Sequence, residues 1–433
     1  MVQQAQMERI TWRVNRNNIP LAFLSLLIYC TLVFSFEHII APNFFIPGLG
    51  EGGPLRLLTS HTLAVAIILF MMMTRMSGFT YALLSCITVM LLYPALIIHR
   101  YTSGDWRIVF SQVLLFLSVY FFLEWVPLRI KGPVVSEDQR TTFLLITSLI
   151  IIVPFIVLFL PHINLNNLLL ADVYESRGLE KSLSNPFTAY TYSWLGKVIL
   201  PVLLVVSLIR KEYVKSAIAF VCLIIMFLVG AHKSVFLGLF LILAFMRGGY
   251  RLKVFHFYLG ILLACALSMY LFFQQDNIVM ASLFIRRVLF IPSILDTAYF
   301  GFFDGHHLLW SHSFMSSFIV YPFDMPPQNI MGEMVFRSAG VNANNGIISD
   351  GFMNLGMTGV LLNILLTSII LSLFKHMNMD VRLFGIVFLF LFSLVSSYLP
   401  IVMVTHGGLV LLLVAQFLLR DSSPLRRSSW KFV

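Results

Sequence analysis

From Ile19 to Leu419 long apolar runs alternate with brief polar interruptions, and within each run the apolar character is continuous. Crossing about 30 Å of hydrocarbon takes around 20 helical residues. Twelve runs approach that length: 19–36, 57–74, 78–98, 107–128, 142–161, 187–209, 214–230, 234–246, 254–273, 356–374, 382–403 and 405–419. A lipid-facing barrel strand alternates apolar and polar positions over about ten residues, so the pattern predicts helices, whose backbone groups are satisfied within the segment. The predicted fold is an all-α polytopic membrane protein of about 12 transmembrane helices, with 1–433 as a single integral membrane domain. The runs 234–246, 382–403 and 405–419 are the weakest, and re-entrant or shifted boundaries are expected there.

Most connections are short, as packed helices require, but 162–186 and 275–355 are long. A loop of that second length in a compact membrane protein is usually functional. It carries apolar pieces of its own, Ala281 to Ile291 and Leu308 to Tyr321, which predict short helices at the interface. No internal repeat or low-complexity tract is visible.

Composition removes whole classes of function. Of the 433 residues 59% are apolar and 11% charged, with 41 Phe and 20 Met, whereas soluble domains are about a quarter charged. The net charge of +10 reads as topology and anionic-lipid contact rather than a nucleic-acid footprint. With both termini cytoplasmic, 19 of the 29 Lys and Arg fall inside, among them Arg9, Arg13, Arg16, Arg129, Lys131, Arg426, Arg427 and Lys431, against seven of the 19 acids. The loops 162–186 and 275–355 then face outward, to the periplasm of a bacterial cell. The basic start resembles a signal peptide, but no small-residue cleavage site follows Phe36, so the first run is expected to remain as a helix. Cys30, Cys86, Cys222 and Cys265 all fall within predicted spans without CxxC spacing and read as packing residues.

Familiar catalytic motifs are missing. Gly48, Gly50, Gly52 and Gly53 imitate a phosphate loop, but no strand precedes them and they read as a turn. His306, His307 and His312 lack a Cys or Glu to complete a metal set. With no GxSxG, HExxH or Walker lysine motif, neither a metal nor a nucleotide cofactor is expected.

Polar chemistry gathers in the two long loops and adjoining helix ends: Tyr174-Glu175-Ser176-Arg177-Gly178, Asn185-Pro186, His232-Lys233-Ser234, Arg286-Arg287, Asp296, Tyr299, Asp304, Arg337, and the run from Asn342 through Asn344 and Asn345 to Asp350. Each has a plain alternative. Arg177 pairs equally well with Asp172, Glu175 or Glu180 of its own loop, Lys233 fits a snorkelling interfacial lysine, and Arg286 and Arg287 fit lipid headgroups. Asp350 fits a helix cap, and Gly356 and Gly359 fit helix packing. Taken together, outward guanidinium and ammonium groups beside apolar helices suit a lipid phosphate or diphosphate, since arginine's planar fork binds two phosphate oxygens. Asn342, Asn344, Asn345 and Asp350 carry groups that hydrogen-bond sugar hydroxyls, and Tyr299, Trp310 and Phe302-Phe303 offer rings for sugars to stack on.

In this order (the Arg177 loop, Asn185-Pro186 before a span bearing Pro201, His232-Lys233-Ser234, Arg287 with Ile291-Pro292, Tyr299 with Phe302-Phe303, and Asn342-Ala343-Asn344 to Asp350-Gly351 and Gly356) the residues resemble the oligosaccharide repeat-unit polymerases, the O-antigen polymerase or Wzy-type family. The resemblance covers roughly 170 to 375; the first five spans match in hydropathy alone. It implies a multi-pass glycosyltransferase of the bacterial inner membrane that polymerises undecaprenyl-diphosphate-linked repeat units at the periplasmic face. Its partners would be those lipid-linked glycans, membrane lipids and a chain-length regulator protein. The glycosyl diphosphate supplies the energy, so no cofactor is implied. Arg177, Lys233, Arg286, Arg287 and Arg337 would bind the diphosphate; Tyr299, Asn342, Asn344 and Asn345 would bind sugars; Asp350 would be the catalytic residue that orients or deprotonates the acceptor. The related O-antigen ligases place a histidine in the segment before the last-loop glycines, and here Asn345 lies near that position, which argues against a ligase. A ligase and a polysaccharide flippase without bond chemistry remain the alternatives.

The orientation is testable with a single cysteine at Gln328 in a cysteine-free protein. A membrane-impermeant maleimide should label it in intact spheroplasts, and labelling only after permeabilisation would reverse the topology.

Overall fold

The computed structural model describes residues 18–128, 132–164, 166–167, 173–230 and 232–420. Arg9, Arg13, Arg16, Arg129, Lys131, Asp172, Arg426, Arg427 and Lys431 of the sequence argument lie outside these. Among the described residues the chain is helical, and no strand forms. Among the described residues, nine helices are long and apolar enough to cross a membrane: α1 Ile19–Asn43, α2 Pro54–Met73, α3 Gly78–Tyr101, α4 Trp106–Glu124, α5 Asp138–His162, then, after the short α6 Val173–Leu183, α7 Pro186–Ile209, α8 Tyr213–Gly230, α10 Tyr250–Gln275 and α13 Ile347–His376. The chain is a polytopic membrane protein.

The three weak runs are the ones that fall short. The first is α9 Lys233–Phe245, with 13 residues. The second breaks into α14 Phe384–Ser396 and α15 Leu399–Val404, and the third starts at α16 Gly408–Val414, continued by a π-helical turn to Leu419. In the 275–355 segment, Ala281–Phe290 is π-helical and runs into α11 Ile291–Phe303, and α12 Pro327–Phe336 follows. Residues 310–318 form turns where a helix was expected.

Two compact units make up the fold. One comprises Met1–Val126, Tyr250–Leu371 and Val395–Tyr398; the other comprises Pro127–Gly249, Ser372–Leu394 and Leu399–Val433. In the first, α3 is buried from Phe79 to Ile98. Helix starts carry ordinary caps: Ser77 Oγ accepts from Thr80 N and Asp105 from Arg107 N at 2.8 Å. One polar cluster within this unit closes on itself. Arg100 donates to Glu37 Oε1 at 2.9 Å and lies 3.1 Å from His61 Nε2, whose Nδ1 meets the Tyr29 hydroxyl at 3.2 Å. In the second unit α7 is largely buried and packs on α8. An Asn185–Thr188 capping box starts it, with both bonds at 3.0 Å.

The informative departure lies in α13. A straight helix would hold residues 347 and 363 roughly 24 Å apart, yet Asn363 Nδ2 donates to Ile347 O at 2.9 Å. The chain reverses at Leu355 and Gly356, and Gly356 (φ +60°, ψ −147°) occupies a conformation closed to residues with a Cβ. The result is a hairpin of a short leg, 347–354, and a spanning leg, 357–376. Gly351 and Gly359 meet at its crossing; a Cβ on Gly351 would lie 2.6 Å from the Gly359 carbonyl carbon. Segment 306–310 closes the apex. Leu308 N and Leu309 N donate to Met353 O and Asn354 O at 2.9 and 3.1 Å, and Trp310 N donates to Asn354 Oδ1 at 2.9 Å. Helix formation thus begins nine residues before the predicted 356, so Asp350 lies inside the short leg rather than at a cap.

Gly351→Ala should cost about 1–3 kcal/mol through forced separation of the legs. Its control is Gly260→Ala, whose new Cβ meets nothing within 4 Å. Thermal unfolding of the detergent-purified protein should fall for the first and hold or rise for the second; equal melting would show that the legs do not pack this way.

Candidate functional site

The first unit gathers three guanidinium groups, two of them over an aromatic floor. Arg286, on the π-helical segment before α11, stacks 4.1 Å over the Phe44 ring and 5.7 Å from Phe336, and Arg337 lies 5.0 Å over Phe45. Arg287 is exposed beside Arg286. Arg337 caps the end of α12 in a left-handed conformation, φ +55°. Among the described residues no carboxylate pairs with any of the three, and the Arg286 Nε is buried without a hydrogen-bond partner. Burial first, and then Arg287, pull the Arg286 guanidinium below its ordinary pKa. Cations so placed lack the counter-charge that the same unit supplies elsewhere: Arg107 is held between Asp105 at 2.5 Å and Asp304 at 2.8 Å.

Asp350 has the opposite character. It is 1% exposed. Its carboxylate accepts from Asn354 Nδ2 at 3.1 Å on its own leg and from Asn363 Nδ2 at 3.4 Å on the spanning leg, and the Asn345 amide faces it. The arrangement ties the hairpin together. Asn345 is likewise buried, whereas Asn342 and Asn344 are exposed in the loop before it. Tyr299 is buried against Phe303, its hydroxyl donating to Ala343 O at 3.0 Å, which anchors that same loop. Beside the hairpin, Asp296 is buried on α11 and accepts from Gln112 Nε2 at 3.3 Å, with Ser349 facing it. Burial pushes its carboxyl up to about 6 against the hydrogen bonds that oppose this.

The second unit holds Arg177 and Lys233. Arg177, on α6, lies beside Glu180, whose Oε2 is 3.9 Å from His232 Nε2 and whose Oε1 accepts from Ser184 Oγ at 3.1 Å. Burial raises the Glu180 carboxyl, but His232, Ser184 and Arg177 together hold it below the usual range. The His232 ring leans on Tyr192, 5.0 Å between centroids. Gly230 makes room for that tyrosine, since a Cβ there would lie 2.6 Å from its ring. Lys233 opens α9. The charged and imidazole groups of this unit extend to Lys197 and His406, which sequence reasoning passed over because both fall within or beside apolar runs.

A buried carboxyl raised from 3.8 to about 6 binds its proton more tightly in the folded state. The stability it contributes is present below about pH 4 and is lost as pH climbs through about 6. Asp296→Asn, which keeps the shape and the Gln112 contact, should therefore flatten that slope and gain on the order of 3 kcal/mol over the native chain at pH 8. Parallel unfolding profiles from pH 4 to 8 would refute it. In comparisons with known proteins, no family model matches the chain, and neither does any curated protein or solved structure.

Proposed function

We propose that the protein polymerises lipid-diphosphate-linked oligosaccharide repeat units, with undecaprenyl diphosphate as the carrier, at the periplasmic face of a bacterial inner membrane. The topology of this reading has twelve spans, counting the three short apolar helices, and cytoplasmic termini. Chain-length control falls to a partner regulator. The observation that carries it is the guanidinium trio of Arg286, Arg287 and Arg337: three cations without carboxylate partners among the described residues, two of them set over phenylalanine rings, in a chain that is 59% apolar. Such a surface matches a ligand with a diphosphate head and a hydrocarbon tail.

In the reaction the anomeric carbon of the donor glycan loses its bond to the diphosphate oxygen and gains one to an acceptor sugar hydroxyl, and the acceptor's proton must leave. Arg287 neutralises charge on the departing diphosphate, a role that the resemblance also gives Arg177. Asp350, whose oxygens are engaged by amides, keeps the hairpin and Asn345 in register, and the acceptor's proton passes to water. Asn342 and Asn344, exposed in the loop that Tyr299 anchors, hydrogen-bond the sugar.

Purified protein given a lipid-linked repeat unit should form a ladder of products. Arg177→Lys and Arg287→Lys should each slow it by about 30- to 1000-fold, or roughly 2–4 kcal/mol of transition-state stabilisation, because an ammonium cannot span two oxygens. Surface pairing alone would cost under about 1 kcal/mol. Near-normal rates for both variants would remove these residues from the site, and a deletion strain that keeps its surface-glycan ladder would remove the function.

A further inference from the structure

Lys197 is the cation that neither the packing nor the reaction above accounts for. It is the twelfth of the 24 residues of α7, roughly 17 Å from either end of the helix. That is too far for its side chain to reach an interface by snorkelling. It sits in the π-helical turn Leu195–Ile199, and π turns inside α-helices frequently mark functional positions. Among the described residues no carboxylate pairs with it. An ammonium at this depth is costly unless something of opposite charge meets it.

His406 is brought to the same place. It lies in the turn between α15 and α16, and both of its flanks are pinned to α7. Trp194 Nε1 donates to Val404 O at 2.7 Å, and Gly407 packs so closely that a Cβ on it would lie 3.0 Å from Val198 Cγ2 and 3.3 Å from Trp194 Cδ1. Gly407 has φ +85°, so a glycine is needed both for the turn and for the close approach. The Nδ1 of His406 is buried with no hydrogen-bond partner. Lys197 and His232 both lie within electrostatic reach of its ring.

We infer that Lys197 and His406 hold the phosphate or diphosphate head of a membrane lipid. The ammonium supplies a compact charge to one phosphate oxygen, and the unpartnered imidazole nitrogen, when protonated, donates to another. A lipid can deliver that anion to mid-helix depth because its tail rests in hydrocarbon; a free anion would first have to shed its water. The identity of the lipid as a polyprenyl carrier rests on the polymerase reading, but the anion site does not.

Native mass spectrometry of the detergent-purified full chain counts bound lipid. The wild-type protein should retain one more polyprenyl diphosphate than Lys197→Met does, and inorganic diphosphate should displace that additional lipid. Polyprenol of the same length should bind at least tenfold more weakly, Lys197→Arg should keep the adduct, and His406→Leu should weaken it by severalfold. Phosphatidylglycerol replacing the polyprenyl lipid at equal affinity would place the source among ordinary phospholipids while keeping the headgroup chemistry. Lys197→Met should melt no lower than wild type, since an ammonium at mid-helix depth with no carboxylate to meet it contributes nothing to folding. Equal lipid counts for wild type and Lys197→Met, or equal binding of polyprenol, would overturn the site, as would a lower melting temperature with no change in lipid. A wild-type protein that makes no polymer yet keeps the Lys197-dependent lipid would instead refute the polymerase reading alone.

Discussion

Each departure from helix within the apolar bulk of this chain needs a substitute hydrogen bond, because hydrocarbon offers none and an unsatisfied backbone group costs several kcal/mol. The α13 hairpin meets that need with the amides of Leu308 and Leu309, which take the carbonyls released where the short leg ends. At the turn after α15, Thr405 N and His406 N both donate to Ile401 O. Where α3 ends, Arg56 reaches across to the carbonyls of Thr102 and Gly104 at 2.8 and 2.7 Å. The π-helical turns in α1, α3 and α7 keep the ladder closed while adding a residue, which rotates whatever follows on the helix.

The same constraint, applied to charge, separates scaffold from site. Glu37, Arg100 and His61 satisfy one another, Arg107 has two acids, and Asp350 is surrounded by amides. Those groups hold helices together and need no outside molecule. Arg286, Arg287, Arg337 and Lys197 stand apart, since no carboxylate among the described residues completes them. In a chain that is 59% apolar such groups are expensive, and an anionic ligand is what would offset them.

Much of the helical framework was legible because length and continuous apolarity are what a bilayer demands: eight spanning helices and the second leg of α13 lie within a few residues of their predicted bounds, apart from the seven-residue extension of α1. The short runs were flagged for the same reason. The reversal at Gly356 was not legible, since Gly351, Gly356 and Gly359 also fit straight helix-to-helix packing, and only the Asn363 to Ile347 bond tells the cases apart. Among site residues, Arg286, Arg287 and Arg337 were visible as loop cations. Tyr299 and Asn345 were picked for sugar contact, yet both are buried, a distinction that residue type cannot carry. Lys197 was hidden inside an apolar run because hydropathy averages one charge away.

The aromatic floor also limits how an anion can approach. Arg286 stacks on Phe44 with its guanidinium carbon 4.1 Å from the ring centre, so one face of the group is covered. Its Nε is buried. What remains is the edge formed by the two terminal nitrogens, the pair whose parallel N–H bonds match two oxygens of a phosphate. Stacking of this kind contributes about 0.5–2 kcal/mol, enough to hold the fork in one orientation before a ligand arrives. A lysine at this position would keep the charge and lose both the stacking and the fork.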